Sequence, residues 1–140
     1  MKTTSVPQLR SIDHIHVFVS NRVAAERWYE NVLGLSRIKE FEFWAEGGGP
    51  LTIQNPAGTV HIALFERPVE RCRSTIALEV GADEFLAWKA HLAEALGHEP
   101  TLEDHELSLS LYFQDPDRNP YEITTYEYAA AKTGLQSGAA

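Results

Sequence analysis

Ile12 to Ser20 alternates with period two, placing His14, His16 and Phe18 on one face and Ile15, Val17 and Val19 on the other. The pattern predicts a strand with an apolar back and a polar front. Asn21 can cap the helix that follows, in which Ala25, Trp28, Tyr29, Val32 and Leu33 recur at helical spacing. Gly34 ends that helix. Three strand-like stretches come next: Ser36 to Trp44, Leu51 to Gln54 and Thr59 to Phe65. They are separated by the turns Gly47-Gly48-Gly49-Pro50 and Asn55-Pro56-Ala57-Gly58. In this reading Phe41 and Phe43 share a strand face, with Trp44 opposite, and could wall a pocket with Tyr121.

After a polar connector, Glu66 to Ser74, the order restarts. Thr75 to Val80 reads as a strand. Asp83 can cap a helix carrying Phe85, Trp88, Leu92 and Leu96, closed by Gly97. Strands follow near Thr101 to Glu103, Leu107 to Gln114 and Pro120 to Glu127. Caps, terminal glycines and Pro-containing turns all recur after 60 to 63 residues. At an offset of 61, His14 pairs with Thr75 and His61 with Glu122. The expected architecture is therefore α+β: two tandem β-α-β-β-β modules, about residues 11–66 and 74–127, in one domain spanning 1–140. Their strands are expected to form one eight-stranded curled sheet around a cleft, with helices outside. Residues 129–140 are small and polar and read as a frayed tail.

Composition narrows the function classes. A net charge of -8 argues against nucleic acid or anionic membrane as partners, because both need clustered Lys and Arg. The single cysteine, Cys72, excludes an intrachain disulfide, so a reducing, cytoplasmic setting is expected. No apolar run is long enough to span a bilayer, and the N-terminus lacks a signal-peptide core.

Two stretches carry a resemblance to a known family. DHIHVFVSNRVAAERWYENVLGL (Asp13 to Leu35) is similar to the opening strand and helix of the vicinal oxygen chelate superfamily, which ends in "FY…LGL". SLYFQDPDRNPYEITTYE (Ser110 to Glu127) is similar to its "DPDGN..E" ending, with Arg118 where the family has Gly. The superfamily includes glyoxalase I, extradiol dioxygenases, fosfomycin-resistance enzymes and bleomycin-resistance proteins. The resemblance implies this fold. It leaves function open, because one fold hosts enzymes and pure binders.

In metal-using members the first and last strands donate ligands. The resemblance maps these positions onto His14 and Glu122, a donor set suited to a divalent ion such as Fe, Mn, Ni or Zn. Thr75 stands where the second module should carry a His. His61 could compensate if it faces the cleft, and Ala63 is the rival register for the same position. With His61, the metal ligands would be His14, His61 and Glu122. His16 shares the face of His14 and reads as a supporting pocket residue. Asp104 to Tyr112 is similar to the "DH..S..LY" segment of extradiol dioxygenases. That likeness implies catalytic roles for His105, as acid–base, and Tyr112, as a substrate contact. Parity supports it, since Ser110 and Tyr112 share one face and Leu111 and Phe113 the other.

Three readings follow. The first is a divalent-metal-dependent enzyme of the glyoxalase/dioxygenase type, acting on a small oxygen-chelating substrate such as a catechol or α-keto compound. The second is a metal-free, bleomycin-resistance-like binder of a small molecule, which Thr75 favours. The third is a partner-binding domain with a vestigial cleft and an exposed apolar patch. The resemblance also implies a homodimer.

Overall fold

The computed structural model describes residues 6–68 and 72–138. The first half runs β1 (Ile15–Val19), α1 (Arg22–Trp28) with a π-helical turn (Tyr29–Leu33), β2 (Ser36–Arg37), a 3-10 turn (Lys39–Phe41) and α2 (Glu42–Glu46). It closes with β3 (Leu51–Gln54) and β4 (His61–Glu66). The second half runs β5 (Ile76–Glu79), α3 (Ala82–Leu96), β6 (Thr101–Asp104), β7 (Leu109–Gln114), β8 (Pro120–Thr125) and α4 (Tyr128–Ser137). Among the described residues no helix is long and apolar enough to cross a membrane.

The tandem α+β plan holds. The strands form two four-stranded sheets of identical topology, β1-β4-β3-β2 and β5-β8-β7-β6, rather than one continuous eight-stranded sheet. Each sheet has one parallel pair at its edge, β1 with β4 and β5 with β8, and is otherwise antiparallel. The backs are apolar: Val17, Val19, Ile53, Ile62 and Leu64 in the first sheet, Ile76, Leu111, Tyr121 and Ile123 in the second. Helices cover those backs, because each sheet has a single greasy face to bury.

Local signals explain the first helix. Asn21 Oδ1 accepts from Ala24 N at 3.0 Å, which is an N-cap bond. At the other end Gly34 sits at φ 70, and Leu35 N donates to Tyr29 O at 3.1 Å, a closure that a left-handed residue permits. In the second half Gly81, not Asp83, is the N-cap, with Glu84 accepting from Gly81 N at 3.0 Å.

Two other expectations fail. Ser36 to Trp44 is not one strand. The ladder stops at Arg37, whose guanidinium is held by Glu26 at 2.6 Å and Glu42 at 3.1 Å. Beyond it Phe41 and Trp44 stack three residues apart, with ring centroids at 4.3 Å, which is helical rather than strand spacing. The C-terminal tail is not frayed either: α4 packs on α3 and β7, buries Ala131 completely, and seats Gly134 beneath Leu86.

The halves are joined by a buried polar hub in the β7–β8 turn. Asp115 and Asn119 are 4% and 0% exposed. Asp115 Oδ1 accepts from Asp117 N at 2.9 Å and Asn119 N at 2.8 Å. Its Oδ2 accepts from Asn119 Nδ2 at 2.8 Å and from the Tyr29 hydroxyl, across the module boundary, at 2.6 Å. Burial pushes the Tyr29 phenol far above its ordinary pKa, with the nearby Tyr121 and Asp115 adding to the shift, so Tyr29 stays a donor. Tyr121 in turn lies 2.9 Å from the Tyr29 oxygen. Asn119 Nδ2 also reaches Phe18 O on β1 at 3.1 Å, and its Oδ1 accepts from Cys72 N at 2.7 Å in the connector.

Among the described residues, Tyr29→Phe removes the side-chain donor that crosses from the first half to Asp115. A lost bond to a buried charge costs roughly 1.5–3 kcal/mol, and urea denaturation is expected to show a drop of that size. A loss below about 0.5 kcal/mol would mean the hub does not couple the halves.

Candidate functional site

The polar fronts of the two sheets hold His14, His16, His61, Tyr112 and Glu122, with His105 on the adjoining β6–β7 turn, while Tyr121 is buried on the back and walls no front pocket. On the first sheet, β1 and β4 run in register, with His16 beside Ala63 and Phe18 beside Phe65. His14 stacks on His16, centroids 5.0 Å apart, and His16 stacks on Phe65 at 4.7 Å. The Arg67 guanidinium lies 5.3 Å from the Phe65 ring centre. This imidazole–aromatic ladder is open to solvent, and Phe18 is 38% exposed.

Asp13 organises two of the imidazoles. Its carboxylate lies 2.7 Å from His14 Nδ1, and its carbonyl oxygen lies 3.1 Å from His61 Nδ1. The hydrogen bond from His14 holds the Asp13 carboxyl below its ordinary pKa, opposed by desolvation and aided by the nearby His14 and His61 rings. Both Asp13 oxygens are acceptors, so Nδ1 of each ring carries the hydrogen. In the neutral rings the lone pair then sits on Nε2. His14 Nε2 lies 3.1 Å from His16 Nε2. An imidazole fixed through Nδ1 by a carboxylate or carbonyl is the arrangement that supports a metal on Nε2, so the donor chemistry fits a divalent ion.

On the second sheet, Tyr112 pairs with Glu122 and Ser110 with Thr124, all on the front. Ser110 Oγ donates to Glu122 Oε2 at 2.6 Å and lies 3.0 Å from Thr124 Oγ1. His105 Nε2 is 3.0 Å from the Tyr112 hydroxyl, so these two expected partners do meet. Burial and then the Glu122 charge raise the Tyr112 pKa, which keeps the phenol protonated. His105 is carried by the β6–β7 turn, where Glu106 takes φ 70 and its N–H donates to Asp104 Oδ1 at 2.9 Å. Asp104 is anchored in turn by α4: it accepts from the Tyr128 hydroxyl at 2.9 Å and pairs with Lys132. The unforeseen helix therefore steadies the turn that holds His105.

The fronts do not converge on a metal within one chain. Among the described residues no three His, Cys, Asp or Glu side chains form a group able to hold an ion. His14, His16 and His61 gather on one sheet, while Glu122 bonds Ser110 on the other. The repeat also reads differently in three dimensions. Ile15 pairs with Ile62 and Ile76 with Tyr121, so His14 does correspond to Thr75, but Glu122 corresponds to Ala63 and not to His61. The slip is two residues, which preserves the face, so His61 and Ala63 both lie on the front. The orienting roles of Asp13 and Ser110 escaped the sequence reading. Asp13 precedes the ladder, where alternation no longer governs direction, and Ser110 was placed on the front by parity without a partner.

Two hollows open nearby. One of about 470 Å3 is lined by Thr101, Tyr112, Gln114, Pro120 and His98, and so touches the front through Tyr112. The other, about 530 Å3, lies on the outer face between the π-turn and α3, beside Glu30, Trp88 and His91, and touches no front-face residue. There His91 Nε2 reaches Val32 O at 2.8 Å, a bond between modules rather than a free surface His.

Residues 11–123 match the family model described as the Glyoxalase/Bleomycin resistance protein/Dioxygenase superfamily. No curated protein sequence matches the chain. Solved structures share its fold. A glyoxalase/dioxygenase from Nostoc punctiforme is 21% identical with a TM-score of 0.64, covering 89% of this chain and 99% of that one. The fosfomycin resistance protein FosX from Listeria monocytogenes, solved with Mn(II) and sulfate ion, is 16% identical with a TM-score of 0.62, covering 94% and 99%. An integron cassette protein from the Halifax Harbour sewage outfall metagenome is 18% identical with a TM-score of 0.65, covering 84% and 99%.

The α4 anchor has a pH signature. The Asp104 carboxyl is held down at about 2, first by Lys132, then by the Glu106 N–H and the Tyr128 hydroxyl. A depressed carboxyl stabilises above its unfolded pKa and loses that contribution as pH falls through the folded value. Protection of the α4 amides from hydrogen exchange is therefore expected to weaken as pH drops from the ordinary carboxylate range toward 2. Lys132→Ala should return the Asp104 titration, followed by carboxyl NMR, toward its ordinary value. An unmoved titration in that variant would show that Lys132 does not hold the turn.

Proposed function

The chain belongs to the glyoxalase/bleomycin resistance/dioxygenase superfamily, and on that premise we propose that it is a divalent-metal-dependent enzyme acting on a small oxygen-chelating substrate such as a catechol or α-keto compound. The observation that carries this reading is Asp13 at 2.7 Å from His14 Nδ1, which leaves an oriented lone pair on Nε2. FosX from Listeria monocytogenes binds Mn(II) on the same fold, which supports divalent-metal use here.

His14, His61 and Glu122 are the proposed holders of the ion. Within one chain Glu122 stands on the other sheet, so the site is completed in a homodimer. The first front carries His14, His16, His61 and Arg67; the second carries Glu79, Glu103 and Glu122. The second front is the more acidic and the first the richer in nitrogen donors, and pairing one chain's first front with its partner's second front makes two equivalent sites. An ion held by these residues would supply Lewis-acid chemistry to a substrate's oxygens. The chain's own residues do the rest. Ser110 orients the Glu122 carboxylate, His105 and Tyr112 hold or pass a proton at a substrate oxygen, and Phe18 and Phe65 offer a wall to a planar ring. The lone thiol of Cys72 suits a cytoplasmic setting.

A metal-free binder of a small planar compound is the second reading. Thr75 in place of a His and the solvent-open His16–Phe65 stack favour it.

Elemental analysis of tag-free protein decides between them. About one equivalent of metal per chain is expected in the wild type, with loss in His14→Ala, His61→Ala and Glu122→Ala. No metal in the wild type, even after incubation with excess Fe, Mn, Ni or Zn, would overturn the enzyme reading. With a turned-over catechol or α-keto substrate, His105→Ala and Tyr112→Phe are expected to retain metal and lose about 10²–10⁴-fold in kcat. Unchanged kcat in both would remove the pair from the mechanism.

A further inference from the structure

We propose that His16 is itself a metal ligand, chelating one ion together with His14 and supplying the imidazole that Thr75 does not. The inference rests on the metal reading above and changes its ligand set. The two Nε2 atoms lie 3.1 Å apart. A first-row ion about 2.1 Å from each of two imidazole nitrogens, with an angle of roughly 90–110° between them, needs those nitrogens roughly 3.0–3.4 Å apart. The pair thus already has the bite of two ligands on one ion.

Both rings are held in that arrangement. His14 is fixed through Nδ1 by Asp13, which leaves its lone pair on Nε2. His16 is backed by the Phe65 ring at 4.7 Å and an interplanar angle of 24°. Without an ion, one hydrogen lies between the two nitrogens: His16 Nε2–H donates to His14 Nε2. Binding requires that hydrogen to leave Nε2, and the neutral His16 ring accommodates this by carrying it on Nδ1 instead. The tautomer changes, no net proton is released, and two lone pairs then face the ion. Spacing in the chain produces the same result. Residues two apart on a strand share a face, so the sequence His-Ile-His sets two imidazoles side by side. Both are exposed, so an ion and an incoming carboxylate from a facing sheet have access.

Zn2+ and Co2+ titrations of the full chain test this. His16→Phe keeps a ring against Phe65 but cannot ligate. Expected are a loss of about tenfold or more in affinity for both ions and a changed Co2+ visible spectrum. In the wild type, imidazole 15N resonances should show Nε2 of both His14 and His16 shifting together on Zn2+ addition, with His16 hydrogen moving to Nδ1. If His16→Phe binds within about twofold of wild type and the His16 nitrogens do not move, His16 is not a ligand. Metal loss in His14→Ala, His61→Ala and Glu122→Ala would then leave the broader reading standing. Absence of Zn2+ and Co2+ binding in the wild type would overturn both. Should His16→Phe fail to fold, the wild-type 15N titration alone decides.

Discussion

The fold turns on one buried carboxylate. Asp115 accepts four hydrogen bonds, three from its own turn and one from Tyr29 in the other half of the chain. A carboxylate taken out of water is costly unless every lone pair is satisfied, so the site tolerates only the geometry that supplies all four donors. That constraint fixes the β7–β8 turn, and through Asn119 it fixes β1 and the connector at Cys72. Arg118 adopts a left-handed φ of 67 within the turn, a conformation usually left to glycine, because the surrounding bonds over-determine it. Among the described residues the two sheets make no backbone ladder with each other. Their relative position therefore depends on this hub, on the Tyr29–Tyr121 contact, and on the packing of α3 against the π-turn.

Two copies of one topology have been filled with opposite chemistry. Corresponding positions hold His14 and Thr75, His16 and Ala77, Ala63 and Glu122. The first sheet keeps imidazoles and no carboxylate on its front strands. The second keeps carboxylates and hydroxyls, with its one His arriving from the β6–β7 turn. Small buried residues lie between the larger ones on each front: Ala63 and Thr52 on the first, Ser110 and Thr124 on the second. They lower the centre of each face and leave the long polar side chains as a rim. A face built that way accommodates a ligand or another face without repacking the core behind it.

Periodicity exposed what depends on local alternation and hid what depends on contacts. The period-two faces of β1, β7 and β8, the helix stops at Gly34 and Gly97, and the tandem plan were all legible, because each follows from backbone geometry. The Ser36–Trp44 stretch was not, since β-favouring aromatics are stacked there at helical spacing and Arg37 is drawn off by two glutamates. Residues 129–140 read as a tail because their apolar contribution is small. Their helix is stabilised by neighbours, with Ala131 buried, Gly134 under Leu86 and Lys132 on Asp104. On the site, His105 beside Tyr112 was readable from motif and parity. The pairing of His61 with Glu122 was misread, because a loop-length difference shifts the last strands to a 59-residue correspondence between Ile62 and Tyr121.

Asp13 explains how a chain lacking the second-module His could retain donor chemistry. One residue uses its carboxylate for His14 and its carbonyl for His61, so both rings take the same tautomer. Orientation of this kind removes rotational freedom before any ligand arrives, and preorganised donors bind more tightly than free ones of the same identity. In the proposed site, imidazoles with a single carboxylate would carry low negative charge. Such a site favours first-row transition ions over calcium or magnesium, which require more oxygen donors. Replacing a His by Thr on one sheet thus need not abolish binding when the surviving sheet concentrates its nitrogens around one anchoring residue. What it changes in the proposed site is the symmetry, with the nitrogen donors on one side and carboxylate, hydroxyl and phenol on the opposite face.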